Sequence, residues 1–260
     1  MSQSLTKTVV FVHGAWMTPE CWDSLRQPFE AAGYSVHAPT WPYLDKGTAA
    51  ELRANPPAGL GGLGIGPIVD HYQAFIEKLP EKPLIIGHSF GGLYVQMLLD
   101  RGLGAAGIGI SPGPVGGVIP GPISLAAALP VIARVGGWMR PYTLSPEGFA
   151  KNFANTVSPE IQAAAYDKLV VPTPGMIFYQ AAGSIGTWVN PKRRSQPLLV
   201  IAAEHDRTVT PYVSRASYNV QKRSDAKTDF KLFPDRSHFL IAEPGWEEVG
   251  DFALTWAQGL

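Results

Sequence analysis

Short runs of aliphatic and β-branched residues alternate along the chain with stretches of helical period. Residues 8–12, 35–38, 83–87, 106–110, 198–202 and 230–233 read as strands. Several of them lack polar alternation. That is the pattern of strands buried on both faces, which are parallel and covered by helices. The intervening segments carry helix signals. Proline follows a hydroxyl residue at Thr18-Pro19, Ser145-Pro146, Ser158-Pro159 and Thr210-Pro211. An N-cap with proline at the first helical position explains each pair, because the missing N–H has no helical partner there. Further helices are predicted over 64–79, 89–101 and 245–258. The alternation predicts an α/β fold with one doubly wound, mostly parallel sheet.

Two stretches break this rhythm. Residues 42–63 contain Pro42, Pro56 and Pro57 and lead into the run Gly59-Leu60-Gly61-Gly62-Leu63-Gly64. No strand directly precedes this run and no Lys-Ser/Thr pair follows it, so a surface connection is expected rather than a phosphate loop. The second break is the span of about 80 residues between Ile110 and Leu198. It is mostly helical in pattern and too long for an ordinary connection, which predicts an inserted subdomain.

Composition narrows the class. Of 260 residues, 45% are hydrophobic and 16% charged, with 21 Lys plus Arg against 21 Asp plus Glu. The zero formal charge leaves no electrostatic footprint for nucleic acid or an anionic membrane. The single cysteine, Cys21, rules out a disulfide within the chain and is expected as a small buried hydrophobe. The apolar run at residues 9–12 is too short for a signal-peptide core or a membrane span, and no apolar stretch of 18 residues occurs elsewhere. A soluble cytoplasmic protein acting on a small molecule is expected. A homodimer stays open.

Chemistry concentrates at the predicted strand ends. Gly87-His88-Ser89-Phe90-Gly91 lies between a strand and a helix, the context that gives a G-x-S-x-G match its meaning. Glycines two before and two after Ser89 allow a tight turn that lifts its hydroxyl clear. The Phe90 N–H can then point at a developing oxyanion. A serine hydroxyl needs a base, and the base needs an orienting acid. Of His13, His37, His71, His88, His205 and His238, only His238 sits in a loop just beyond the last strand, while the turn should send His88 away from Ser89. The loop after residues 198–202 offers Asp206 as the acid, with Glu204 and Asp235 as rivals. The order Ser89, Asp206, His238 differs from the two common protease orders. Glu204, His205 and Asp206 also suggest a metal cluster, but no partner ligands accompany them.

With these motifs in place, the sequence resembles the α/β-hydrolase superfamily over nearly its whole length. His13-Gly14-Ala15-Trp16 follows the first strand, and the Ser89 turn and the Asp206 and His238 loops follow in family order. The resemblance implies a second oxyanion donor at the Ala15 N–H beside that of Phe90, and chemistry that needs no cofactor or metal. It implies about six strands, since the family's first two are missing, and a helical cap. The expected division is a core of residues 1–114 and 196–260 with a cap of residues 115–195. Ser89 stands where dehalogenases and epoxide hydrolases carry aspartate. Gly14 and Phe239 stand where hydroxynitrile lyases carry threonine and lysine. The implied activity is hydrolysis of a carboxylic ester through an acyl-enzyme. Lactonase, thioesterase, amidase and cofactor-free haloperoxidase or perhydrolase activities share that site, and some relatives act as ligand receptors.

The apolar residues flanking the site are candidates for the pocket: Trp16, Trp41, Phe90 and Phe239, with Trp138, Met139, Phe149, Phe153, Met176 and Phe178 from the inserted segment. Few charges lie near them, which favours a neutral, largely hydrophobic substrate.

Overall fold

The apolar runs become six strands: β1 (Thr8–Val12), β2 (Ser35–His37), β3 (Leu84–His88), β4 (Ala106–Ile110), β5 (Leu198–Ala203) and β6 (Thr228–Phe233). β1 and β4 have the predicted ends, and the ends of the others differ by one or two residues. The computed structural model describes residues 6–260, and the part of the N-terminal reading that concerns residues 1–5 lies outside them. All strand pairs are parallel, in the order β2-β1-β3-β4-β5-β6. β1, β3, β4 and β5 are buried along their whole length, while the edge strands β2 and β6 are mostly half-buried. Continuous apolar runs therefore mark the central strands, as burial on both faces requires.

Among the described residues ten α-helices accompany the sheet: α1 (Gln27–Ala31), α2 (Ala49–Ala54), α3 (Ile65–Ile76), α4 (Phe90–Asp100), α5 (Pro122–Ile132), α6 (Pro146–Gly148), α7 (Pro159–Leu169), α8 (Met176–Ala182), α9 (Pro211–Gln221) and α10 (Trp246–Gln258). α4 packs on β1, β3 and β4, and α9 on β5 and β6. Among the described residues, no helix is long and apolar enough to cross a membrane. Ser145 and Ser158 cap their helices through their side chains, as predicted. Thr18 and Thr210 do not: the Thr18 hydroxyl donates to Glu20 Oε2 at 3.0 Å, and the segment Pro19–Trp22 is a short 3-10 turn.

Strand order places the loops. The chain leaves β1 towards β2 on one side and resumes at β3 on the other, so β1 and β3 flank the switch point where doubly wound sheets open a crevice. The register pairs His88 with Ile110, Ile110 with Ile201, and Ala203 with Phe233. The carboxyl ends of β3, β4, β5 and β6 therefore line up, and the loops that follow them meet along one edge.

The segment between β4 and β5 carries α5 to α8 and lies across this edge. Val171 N–H donates to Trp16 O at 3.0 Å, Thr208 Oγ1–H to Asn152 O at 2.8 Å, and Ile65 N–H to Gln180 Oε1 at 2.8 Å. The glycine-rich run is pressed beneath it and is not a surface connection. Leu60 and Gly61 are buried, and a Cβ on Gly61 would lie 2.6 Å from Arg140 N and closer still to Met139 O. Glycine is needed there because backbone meets backbone.

A buried histidine closes β1. His13 Nε2 accepts the Trp41 N–H at 3.2 Å and its ring stacks on the Trp41 indole, centroids 4.9 Å apart. Burial is the main cause that lowers its pKa from 6.5 to about 4, so the ring is neutral.

Two predictions follow from this packing. Gly61→Ala should lower stability by about 1–3 kcal/mol through overpacking, a melting point lower by roughly 2–10 °C in a circular dichroism melt. An unchanged melting point would contradict the close approach. The folded pKa of His13 lies below its unfolded value, so between them the unfolded chain binds the proton and the native state does not. Stability should therefore fall as pH drops from 6.5 towards about 4, by up to about 3 kcal/mol from this group. Imidazole ¹⁵N spectra should show His13 still neutral near pH ~5. A ring titrating with the exposed histidines would refute it.

Candidate active site

Ser89 joins β3 to α4 in a conformation rare for a side chain, φ 57° and ψ −122°. Left-handed backbone at a non-glycine residue costs on the order of 1–3 kcal/mol and persists only where its surroundings enforce it. Here the surroundings are backbone. A Cβ on Gly87 would collide with Gly91 O, and one on Gly91 with Val12 O. Ser89 N–H donates to Ile110 O at 2.9 Å, and Ser89 O accepts from Gly92 N–H at 2.9 Å and Gly113 N–H at 2.8 Å. From the β1 side Gly14 presses on the same residue: a Cβ there would lie 2.7 Å from Ser89 Cβ. Ala15, next in that loop, is buried, and Phe90 opens α4, where the first N–H groups lack helical partners.

The loops after β5 and β6 bring Asp206 to His238. The imidazole donates from Nδ1 to Asp206 Oδ2 at 2.6 Å, with both side chains fully buried. A carboxylate only accepts, so this bond sets the tautomer and leaves a lone pair on Nε2. Asp206 Oδ1 takes the N–H groups of Thr208 at 2.9 Å and Val209 at 2.7 Å, which fix the carboxylate on its own loop. His238 Nε2 is buried and has no hydrogen-bond partner among the described residues, and Ser89 is 4% exposed. Glu204 and Asp235, the rival acids, lie outside. Glu204 accepts the Asp235 N–H at 3.3 Å, and Asp235 faces His205 at 3.5 Å. These three exposed residues cluster, but Asp206 turns inward and does not join them.

Three supports of His238 were not foreseen. His88 does turn away from Ser89 and comes to rest beside His238. Its Nε2–H donates to His238 O at 2.8 Å, and the ring centroids are 4.5 Å apart. Burial first, and the neighbouring imidazole second, push its pKa down, so this ring is neutral. Phe153 meets His238 edge-on at 4.6 Å. Buried Glu243 accepts from Ser237 N–H at 3.0 Å, Ser237 Oγ at 2.5 Å and Thr156 Oγ1 at 2.7 Å, which ties the His238 loop to the inserted segment. A histidine beside a nucleophile motif was a signal for the first. Nothing local to Phe153 or Glu243 marked the others.

A cavity of about 80 Å³ adjoins Ser89, and Trp16, Phe90 and Phe178 line it. Trp16 is itself left-handed, φ 63°, and its ring lies 5.1 Å from that of Phe178. The other predicted pocket residues lie elsewhere. Trp41 is buried between His13 and Tyr94. Phe149, Phe153 and Phe239 pack on one another and form an aromatic wall at the His238 imidazole. Trp138 and Met139 are exposed, and Met176 is half-buried at the start of α8. Helical period puts Phe178, Ala181 and Ala182 of α8 on the cavity instead.

Comparison with known proteins accords with this architecture. No curated protein matches the sequence significantly. Among solved structures, a monoacylglycerol lipase of Paleococcus ferrophilus is 20% identical with a TM-score of 0.71, covering 97% of this chain and 94% of its own. A methylesterase from Arabidopsis is 17% identical with a TM-score of 0.72, covering 98% and 100%. A pyrethroid hydrolase from Sphingobium faniae is 18% identical with a TM-score of 0.69, covering 96% and 97%. At these identities the likeness establishes the fold. Residues 9–251 match the Alpha/beta hydrolase family, and the chain belongs to it.

Proposed function

We propose that this protein is a serine hydrolase that cleaves a carboxylic ester of a small, largely hydrophobic substrate through an acyl-enzyme on Ser89. The observation that carries the reading is the buried His238–Asp206 bond of 2.6 Å, with Nε2 left unpaired at the edge of the sheet where the strained Ser89 turn also stands. A strained serine and an imidazole oriented by a carboxylate are what an acyl-transfer site needs.

In this mechanism Ser89 Oγ attacks the ester carbonyl carbon while His238 Nε2 takes its proton. Asp206 holds the imidazole and stabilises the imidazolium. The N–H groups of Ala15 and Phe90 receive the oxyanion, and removing one such donor typically costs about 10²–10³ in rate. Collapse of the tetrahedral intermediate breaks the bond to the alcohol, which takes the proton from His238. Water, deprotonated by His238, then attacks the acyl carbon, and the C–Oγ bond breaks as His238 returns the proton to Ser89 Oγ and the acid leaves. Residues 115–195 act as the cap over a core of 1–114 and 196–260. The hydrogen bonds of this segment to Trp16 and Thr208 support that role. The similar structures are named for a lipase, a methylesterase and a hydrolase, which agrees with ester chemistry.

Ser89→Ala should lower kcat/KM on short p-nitrophenyl esters by at least ~10³-fold. Asp206→Asn should lower kcat by roughly 10²–10⁴-fold while near-UV circular dichroism stays native, because the amide no longer selects the tautomer. A Ser89→Ala protein with the wild-type rate sinks the mechanism.

A further inference from the structure

The cavity beside Ser89 has a size and a chemistry that select among esters. It measures about 80 Å³, and none of its lining residues is charged. Its walls come from α5 and α8, which face each other with Ala127, Ala128, Ala181 and Ala182, and from Leu125 and Ile132. Two of its hydroxyl groups are already engaged. Ser124 Oγ accepts the Thr210 N–H at 3.2 Å, and Thr208 Oγ1–H donates to Asn152 O at 2.8 Å. Ser89 Oγ makes no hydrogen bond among the described residues and is the polar group left facing the space. A charged or hydroxylated chain would enter without a partner, which desolvation disfavours.

Volume sets the length. A dry apolar cavity of ~150 Å³ holds a six-carbon ring, or roughly 25 Å³ per carbon. The present space therefore takes about three carbons. We propose that this cavity is the acyl pocket, that the substrate is an ester of a short, uncharged aliphatic acid, and that Ala128 on α5 and Ile132 one turn on set the length limit. The proposal rests on the hydrolase reading for the word acyl, but the pocket's preference can be measured without turnover.

Two series test it. Rates on p-nitrophenyl esters from acetate to decanoate should rise about fourfold per methylene to propionate or butyrate, then fall at least ~tenfold by octanoate. Ala128→Leu should move the optimum to acetate. Ile132→Ala, which empties space and tests the limit should the first variant not fold, should lengthen the optimum by about two carbons. In parallel, N-methyl amides of the same acids are titrated against tryptophan fluorescence, since Trp16 lines the cavity, with the Trp16→Phe protein as reference. The propionyl and butyryl amides should bind at least ~tenfold more tightly than the octanoyl amide. Absent ester turnover with that amide preference overturns the hydrolase reading and keeps the pocket. A wild-type optimum at octanoate or beyond, or a profile that neither variant moves, overturns the pocket.

Discussion

The backbone contact around Ser89 is the constraint on which this molecule depends. Four segments meet there without side chains between them: the ends of β1 and β3, the start of α4 and the Gly14 loop. Their closeness holds Ser89 at positive φ, and the hydrogen bonds to Ile110 and Gly113 bind the turn to β4 and its loop. A looser packing would let the turn relax, since the strained backbone is held only by its neighbours. Strand order makes that packing available, because β1 and β3 lie side by side at the switch point.

Three fully buried histidines near this point show how surroundings assign roles. His13 bonds to Trp41 N–H, His88 to a backbone carbonyl, and His238 to a carboxylate. Desolvation keeps the first two neutral, and each acts as a polar strut in an apolar setting. Only His238 has an anion behind it to stabilise a positive charge formed in front. A buried imidazole becomes a useful base when its charged state has that compensation.

The segment between β4 and β5 contributes on both sides of the site. Phe153 meets the imidazole edge-on with Phe149 stacked on Phe153, and Thr156 anchors Glu243 under the His238 loop. On the other side α5 and α8 bound the cavity. The same segment thus holds the imidazole in place and shapes the space in front of the serine.

Local pattern carried much of this. Continuous apolar runs marked the strands, because burial on both faces leaves no polar position. The Gly-x-Ser-x-Gly spacing marked the turn, because only glycine lets backbone approach so near. Asp206 and His238 were legible because chemistry in such sheets gathers at the carboxyl ends of strands. Four other features depended on residues far apart in sequence. Trp41 belongs to the core because His13 waits for it from 28 residues away. Gly61 is buried because the Met139 and Arg140 backbone folds onto it. Glu243 is an anchor because Thr156 reaches it. Phe178 and the alanines of α5 and α8 wall the pocket while Phe149, Phe153 and Trp138 of the same segment do not, because helix facing is decided by packing and not by residue type. The sequence by itself determined the fold class, the order of the strands along the chain and the serine, aspartate and histidine on which the proposed chemistry rests, all of which depend on local spacing and burial. Only the tertiary structure decided which of the apolar side chains line the cavity beside Ser89, because that depends on how the inserted helices dock.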